Sequence, residues 1–143
     1  MKICVVGGNG NIGKYLCNHL IEDNHEVYCF NRGLSGNGNE KTQHIQGDRN
    51  NTFKFIEKIK QFNFDAAIDL TCYNKKQAKA SIEAFKNVKH FIYCSSVSIY
   101  GRDFIKFPND EQTPLNPLQD RNFNYALGKA EADLVFQEEF KKN

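Results

Sequence analysis

No charge of one sign dominates this 143-residue chain, in which nineteen Lys and Arg face seventeen Asp and Glu for a net charge of +2. That balance is too even to argue for a nucleic-acid or membrane surface by electrostatics alone. None of the five cysteines, Cys4, Cys17, Cys29, Cys72 and Cys94, stands in a CxxC pair, so neither a disulfide framework nor a zinc site is indicated. They read as reduced thiols, with Cys4, Cys29 and Cys94 inside apolar runs as small hydrophobes. No stretch approaches the roughly 20 apolar residues of a spanning helix, and the run from Ile3 to Val6 is too short for a signal-peptide core. A cytoplasmic location without membrane contact is the expectation. Internal repeats and low-complexity tracts are absent. The three prolines all fall within "DFIKFPNDEQTPLNPLQDRN", which leaves the rest of the chain free to form regular elements.

With 40% hydrophobic and 25% charged residues the composition is that of an ordinary globular protein, and the length suits a single domain over residues 1–143. "KICVV" is a continuous β-favouring run closed by glycines, as in a strand buried on both faces of a parallel sheet. Ile12, Leu16 and Leu20 then recur at helical spacing. "EVYCFN" and "HIQG" read as the second and third strands, and "FKFIEKIKQF" as a helix burying Phe55, Ile56 and Ile59. "FDAAIDL" gives a fourth strand, "KKQAKASIEAFKN" a helix with Ala78, Ile82 and Phe85 on one stripe, and "KHFIYCSS" a fifth strand. A long loop follows from Ser98 to Asn122, then a helix from Tyr125 to Phe140. Such alternation specifies an α/β fold, a doubly wound parallel Rossmann sheet of about five strands in the order 3-2-1-4-5.

The glycines of "GGNGNIG" lie between the first strand and the first helix. Gly8, Gly10 and Gly13 fit G-x-G-x-x-G, while Gly7, Gly10 and Gly13 fit G-x-x-G-x-x-G, and spacing alone does not choose. Both patterns allow a tight turn and close backbone approach, so that Gly7, Gly10, Asn11, Ile12 and Gly13 present free N–H groups and a positive helix end to a pyrophosphate. A carboxylate closing the second strand would hold the ribose hydroxyl of NAD. Here the sequence is "FNRG": Asn31 and Arg32 are not acidic, and a guanidinium suits a 2′-phosphate, so NADP is expected ahead of NAD. Asp48, in "GDRN", is placed either to accept from an adenine amino group or to cap the following helix. Near the last helix, Tyr125 and Lys129 have Y-x-x-x-K spacing, which puts an ammonium beside a phenol on one helix face, an arrangement suited to proton exchange with a carbonyl/alcohol pair.

Taken in order, "GGNGNIG", "FNRG", "GDR", "SSVSIYG", "DEQTPLNP" and "YALGK" resemble the extended branch of the short-chain dehydrogenase/reductase superfamily, the NAD(P)-dependent epimerases and dehydratases, together with its atypical members. The resemblance runs across essentially the whole chain. It implies a catalytic triad of Ser96, Tyr125 and Lys129. Ser96, four residues before Tyr100 of the "YG" pair, would hold the substrate oxygen. Tyr125 would act as acid/base, and Lys129 would bind the nicotinamide ribose and tune the tyrosine. Leu70 and Thr71 would border that ribose, and Tyr73 would cover the ring or lie on the surface.

Two departures accompany the resemblance: the missing acid after the second strand, and a chain that stops just after the Y-x-x-x-K helix, so that a substrate-binding portion is not expected. The reading is an NAD(P)-dependent epimerase/dehydratase-like oxidoreductase acting on a sugar or similar alcohol, with a nucleotide sugar as one candidate substrate. Exposed apolar surface would invite a homodimer. The alternatives are a non-catalytic NADP(H) sensor, against which Ser96, Tyr125 and Lys129 argue, and an RNA-associated relative, against which the near-neutral charge and lack of a basic aromatic stripe argue.

Overall fold

The computed structural model describes residues 1–34, 39–101, 107–116 and 124–142. Its elements are β1 (Lys2–Val6), α1 (Asn11–Glu22), β2 (Glu26–Asn31), β3 (Gln43–Gln46), α2 (Thr52–Ile59), β4 (Ala66–Asp69), α3 (Lys75–Ala84), β5 (His90–Tyr93), a 3-10 turn (Val97–Tyr100) and α4 (Asn124–Phe140). The five strands and four α-helices follow the expected order. Of the long loop expected from Ser98 to Asn122, residues 102–106 and 117–122 lie outside the described residues, and its first residues form the 3-10 turn instead.

The chain divides into two compact units, one of Met1–Thr71 with Ala80–Cys94, the other of the described parts of Cys72–Lys79 and Ser95–Asn143. The first holds a five-stranded parallel sheet in the order β3-β2-β1-β4-β5, as the strand and helix alternation implies. Register runs Lys2 to Glu26 and Val6 to Phe30 between β1 and β2, and Ile3 to Ala66 and Val6 to Asp69 between β1 and β4. Successive β1 side chains enter opposite cores, as a period of two requires. Ile3 and Val5 pack with Cys17 of α1, whereas Cys4 and Val6 pack with Phe55 and Ile59 of α2 and with Ala80 and Ala84 of α3. Helices on both faces are why the interiors of the central strands are apolar. At the edge, β5 alternates exposed and half-buried residues, with Ile92 56% exposed.

One helical stripe departs from expectation. Ile12 is 66% exposed, and α1 buries Gly13 and Cys17 instead, with Leu16 and Leu20 half-buried. The helix leaves a tight turn at Gly10, so its first turn projects beyond the end of β1 before the helix reaches the sheet. Ile82 of α3 is likewise only half-buried, while Phe85 is buried. All five cysteines are free, and Cys17 and Cys72 are as buried as Cys4 and Cys29.

The larger core is aromatic. The Phe55 ring is fully buried and meets Phe30 edge-on, with centroids 4.9 Å apart at 83°, and Phe85 at 6.1 Å and 72°, geometries that the ring quadrupoles favour. Phe53, two residues earlier, is 75% exposed. Phe55→Ala is therefore expected to cost about 3–5 kcal/mol and Phe53→Ala within about 0.5 kcal/mol, read as shifts of the urea unfolding midpoint.

Candidate functional site

β1 ends at Val6, and the chain turns at Gly7, whose φ of +89° lies in the left-handed region. Its N–H donates to the Phe30 carbonyl oxygen at 3.0 Å, Gly10 N–H donates back to the Gly7 oxygen at 3.1 Å, and Lys14 N–H donates to the Gly10 oxygen at 3.0 Å. Gly10 is thus the cap residue of α1; no side chain caps that end, and no acid stands in the first turn. The amides of Asn11 and Ile12 keep the positive end of the helix open to an anion.

The glycines divide by what surrounds them. A Cβ at Gly13 would stand 2.4 Å from the Gly7 oxygen and 2.7 Å from Gly8 backbone carbon, and one at Gly8 would stand 2.5 Å from the Cys29 sulfur. Close packing explains both. At Gly10 the nearest atom to a Cβ is the Gly7 oxygen at 3.4 Å, an ordinary contact, so of the four glycines of the loop only this one would accept a Cβ without a clash. Under the loop, the Cys17 and Cys29 sulfurs lie 3.4 Å apart. The thiol hydrogen bond between them, with burial adding to it, pushes Cys17 up; the same bond, helped by Thr42, holds Cys29 below the ordinary thiol value.

At the end of β2 the Asn31 side-chain oxygen accepts from Gly33 N–H at 2.8 Å, and its amide nitrogen lies 3.4 Å from His44 Nδ1. Arg32 is exposed, and among the described residues its guanidinium has no partner; only its carbonyl oxygen is engaged, by Gln46. Asp48 is exposed, with its carboxylate accepting from Asn50 N–H at 2.8 Å. The helix-capping alternative for Asp48 is corrected: Asn51 caps α2, accepting from Lys54 N–H at 3.2 Å. Asp48 shapes the turn three residues before the cap, too early to reach the first free amides of the helix.

Sequence reasoning missed the cluster beside it. Arg49 Nη2 donates to Asp69 Oδ2 at 2.6 Å and to Ser81 Oγ at 2.7 Å, and Ser81 Oγ donates to Asp69 Oδ2 at 2.7 Å. The signal was a carboxylate closing the buried run "AAID", since a charge there must be paired. Leu70 and Thr71 follow, both half-buried; Leu70 N–H donates to the Val6 oxygen at 3.0 Å and Thr71 N–H to Asp69 Oδ1 at 3.1 Å. Gly7, Gly10, Asn11, Ile12, Gly13, Asn31, Arg32, Asp48, Leu70 and Thr71 all belong to the first unit.

Ser96, Tyr125 and Lys129 belong to the second. Ser96 caps the 3-10 turn, accepting from Ser98 N–H at 3.3 Å, with the two hydroxyl oxygens 2.9 Å apart. It lines an open cavity of about 750 Å³, together with Tyr100 and the carboxylate-bearing Asp110, Glu111 and Asp133. On α4, Tyr125 is 38% exposed, while Lys129, one turn later, is 1% exposed. The helix sits close because Gly128 has no side chain: a Cβ there would stand 2.3 Å from the Tyr73 carbonyl oxygen. As a result the Tyr73 ring lies 5.9 Å from the Tyr125 ring and 5.2 Å from Lys129 Nζ. A phenol beside a buried ammonium can exchange a proton with an alcohol or carbonyl oxygen.

Residues 3–84 and 78–142 match the family described as NAD dependent epimerase/dehydratase. The chain belongs to that family. It is 26% identical over 151 residues to the chloroplast stem-loop binding protein of 41 kDa b of Arabidopsis thaliana, covering 95% of this chain and 38% of that protein. It is 28% identical over 139 residues to a UDP-glucose 4-epimerase of Lactobacillus helveticus, covering 82% and 42%. In fold it matches the UDP-glucose 4-epimerase of Bifidobacterium longum in complex with NAD+ and UDP, with a TM-score of 0.77 at 18% identity over 100% of this chain and 50% of that one. The chain thus spans half or less of the length of these epimerase/dehydratase relatives.

Within this family member the glycine geometry makes a separable prediction. Gly13→Ala is expected to lower stability by about 3 kcal/mol, the upper end for overpacking, because backbone atoms must give way. Gly10→Ala is expected to cost under about 1 kcal/mol, the size of a cap preference. Urea unfolding of the two variants measures the difference.

Proposed function

We propose that this chain is the NAD-binding part of an enzyme that interconverts an alcohol and a carbonyl on a sugar-like substrate, a nucleotide sugar being the class favoured by its epimerase relatives. The observation that carries the reading is the start of α1, which has neither a capping side chain nor an acid, and at whose cap, Gly10, no side chain stands over the helix amides. A pyrophosphate fits both features. Nicotinamide, when bound, supplies the hydride donor and acceptor. The chain's own residues hold and orient: the loop from Gly7 to Gly13 takes the pyrophosphate, Asn31, Arg32 and Asp48 the adenosine end, and Leu70 and Thr71 the nicotinamide ribose. Ser96 holds the substrate oxygen, Tyr125 moves a proton at its Oη, and Lys129 anchors the ribose beside it. This constellation favours an enzyme over a dinucleotide sensor.

NAD is the cofactor proposed. The NADP preference expected from Arg32 finds no support among the relatives, whose family is NAD-dependent and whose Bifidobacterium member is bound to NAD+. A second reading, RNA binding, is favoured by the likeness to the stem-loop binding protein. Against it stands the near-even balance of nineteen basic and seventeen acidic residues. A salt-sensitive mobility shift with an RNA stem-loop would favour that reading.

Calorimetric titration with NAD+ and NADH tests the proposal. Binding by the unaltered chain is expected, with at least a tenfold loss in Gly10→Ala, whose fold is retained at a cost under about 1 kcal/mol; no binding by the unaltered chain overturns it. NADPH in the same cell tests Arg32. Equal losses of NADH and NADPH affinity in Arg32→Ala are expected, whereas a loss confined to NADPH would restore a 2′-phosphate contact.

A further inference from the structure

We infer that the buried Arg49, Asp69 and Ser81 cluster is a positioning device that makes the turn after β3 and the segment after β4 move as one body, and so sets the two walls of the proposed dinucleotide site against each other. The inference rests on the dinucleotide reading for its functional consequence, and on hydrogen-bond geometry for the coupling itself. The Asp69 side chain is 0% exposed and that of Arg49 9%. Their contact, with both hydrogen bonds of Ser81, closes a triangle of 2.6, 2.7 and 2.7 Å. The second carboxylate oxygen is used differently, accepting from Thr71 N–H at 3.1 Å. One carboxylate therefore ties together the turn that carries Asp48, the segment that carries Leu70 and Thr71, and α3.

A stability role alone accounts poorly for this choice of residues. The remaining β4 positions, Ala66, Ala67 and Ile68, are apolar and buried, and a buried ion pair is commonly no better for stability than well-packed apolar side chains. Its site is informative: Asp69 closes β4, and in open parallel sheets ligands bind outside the carboxyl ends of the strands. Thr71 also abuts the glycine loop, since a Cβ at Gly7 would stand 2.4 Å from the Thr71 methyl carbon. The guanidinium is held from the other side by the Phe55 ring, 4.8 Å away. Thus the fork of Arg49 is fixed by the core, and through Asp69 it fixes Thr71.

The test uses Arg49→Lys, which keeps the charge and loses the fork, and Ser81→Ala, which leaves the ion pair and removes one anchor. Amide hydrogen exchange of the ligand-free chain reads the coupling. Exchange at Asn51, whose N–H donates to the Asp48 oxygen, and at Thr71 is expected to quicken together by about tenfold, with β2 amides unchanged. A uniform rise that includes β2, or a change at Asn51 without one at Thr71, overturns the inference. NAD+ titration of the same proteins reads the consequence: affinity should fall at least fivefold in Arg49→Lys. If the unaltered chain binds NAD+ and the variants bind equally well, the inference fails while the dinucleotide reading stands. If the unaltered chain does not bind, the dinucleotide reading falls, and the exchange data still decide the coupling. Should Arg49→Lys not fold, Ser81→Ala carries both readouts.

Discussion

A Cβ atom at residue 13 would stand 2.4 Å from the Gly7 carbonyl oxygen, and this contact of helix with loop sets where α1 begins. Because the helix starts so close to the turn, its first amides emerge directly beyond the end of β1 instead of one turn further on. The same closeness seats the Gly8 backbone on the Cys17 and Cys29 thiols, which join the helix to β2. A larger residue at 13 would move the whole helix axis. The open end at Gly10 exists only because the positions around it are filled.

Both units place a buried charge near the residues proposed for function. In the first, Asp69 at 0% exposure is met by Arg49 and Ser81. In the second, Lys129 at 1% exposure lies over the Tyr73 ring. Burial of either charge without partners would be costly, so the neighbours of each are constrained in turn. Arg49 lies over the Phe55 ring, and Gly128 must lack a side chain so that α4 can reach the Tyr73 backbone. The aromatic core therefore does more than exclude water; it holds the guanidinium that holds the carboxylate.

The elements and their order were legible because they depend on local pattern. "KICVV" closed by glycines, the alternation of strands and helices, and the Y-x-x-x-K pair each lie within a few residues, and the sheet order follows from the handedness of crossovers. Ile12 misled because helical periodicity says which residues share a face and not where the helix meets the sheet. Asp48 was placed in the right turn but given a capping alternative that belongs to Asn51, three residues on.

The sequence by itself determined the parallel sheet, its strand order and the glycine loop, since short-range spacing and chain chirality leave few other solutions, while Ser96, Tyr125 and Lys129 are candidates that the family resemblance implies. Only the tertiary structure decided which loop glycine has room for a Cβ and which charges meet. Arg49 is 20 residues from Asp69 and 32 from Ser81. Contacts at such separations are made by the packing of elements against one another, and no local pattern of residue types records them.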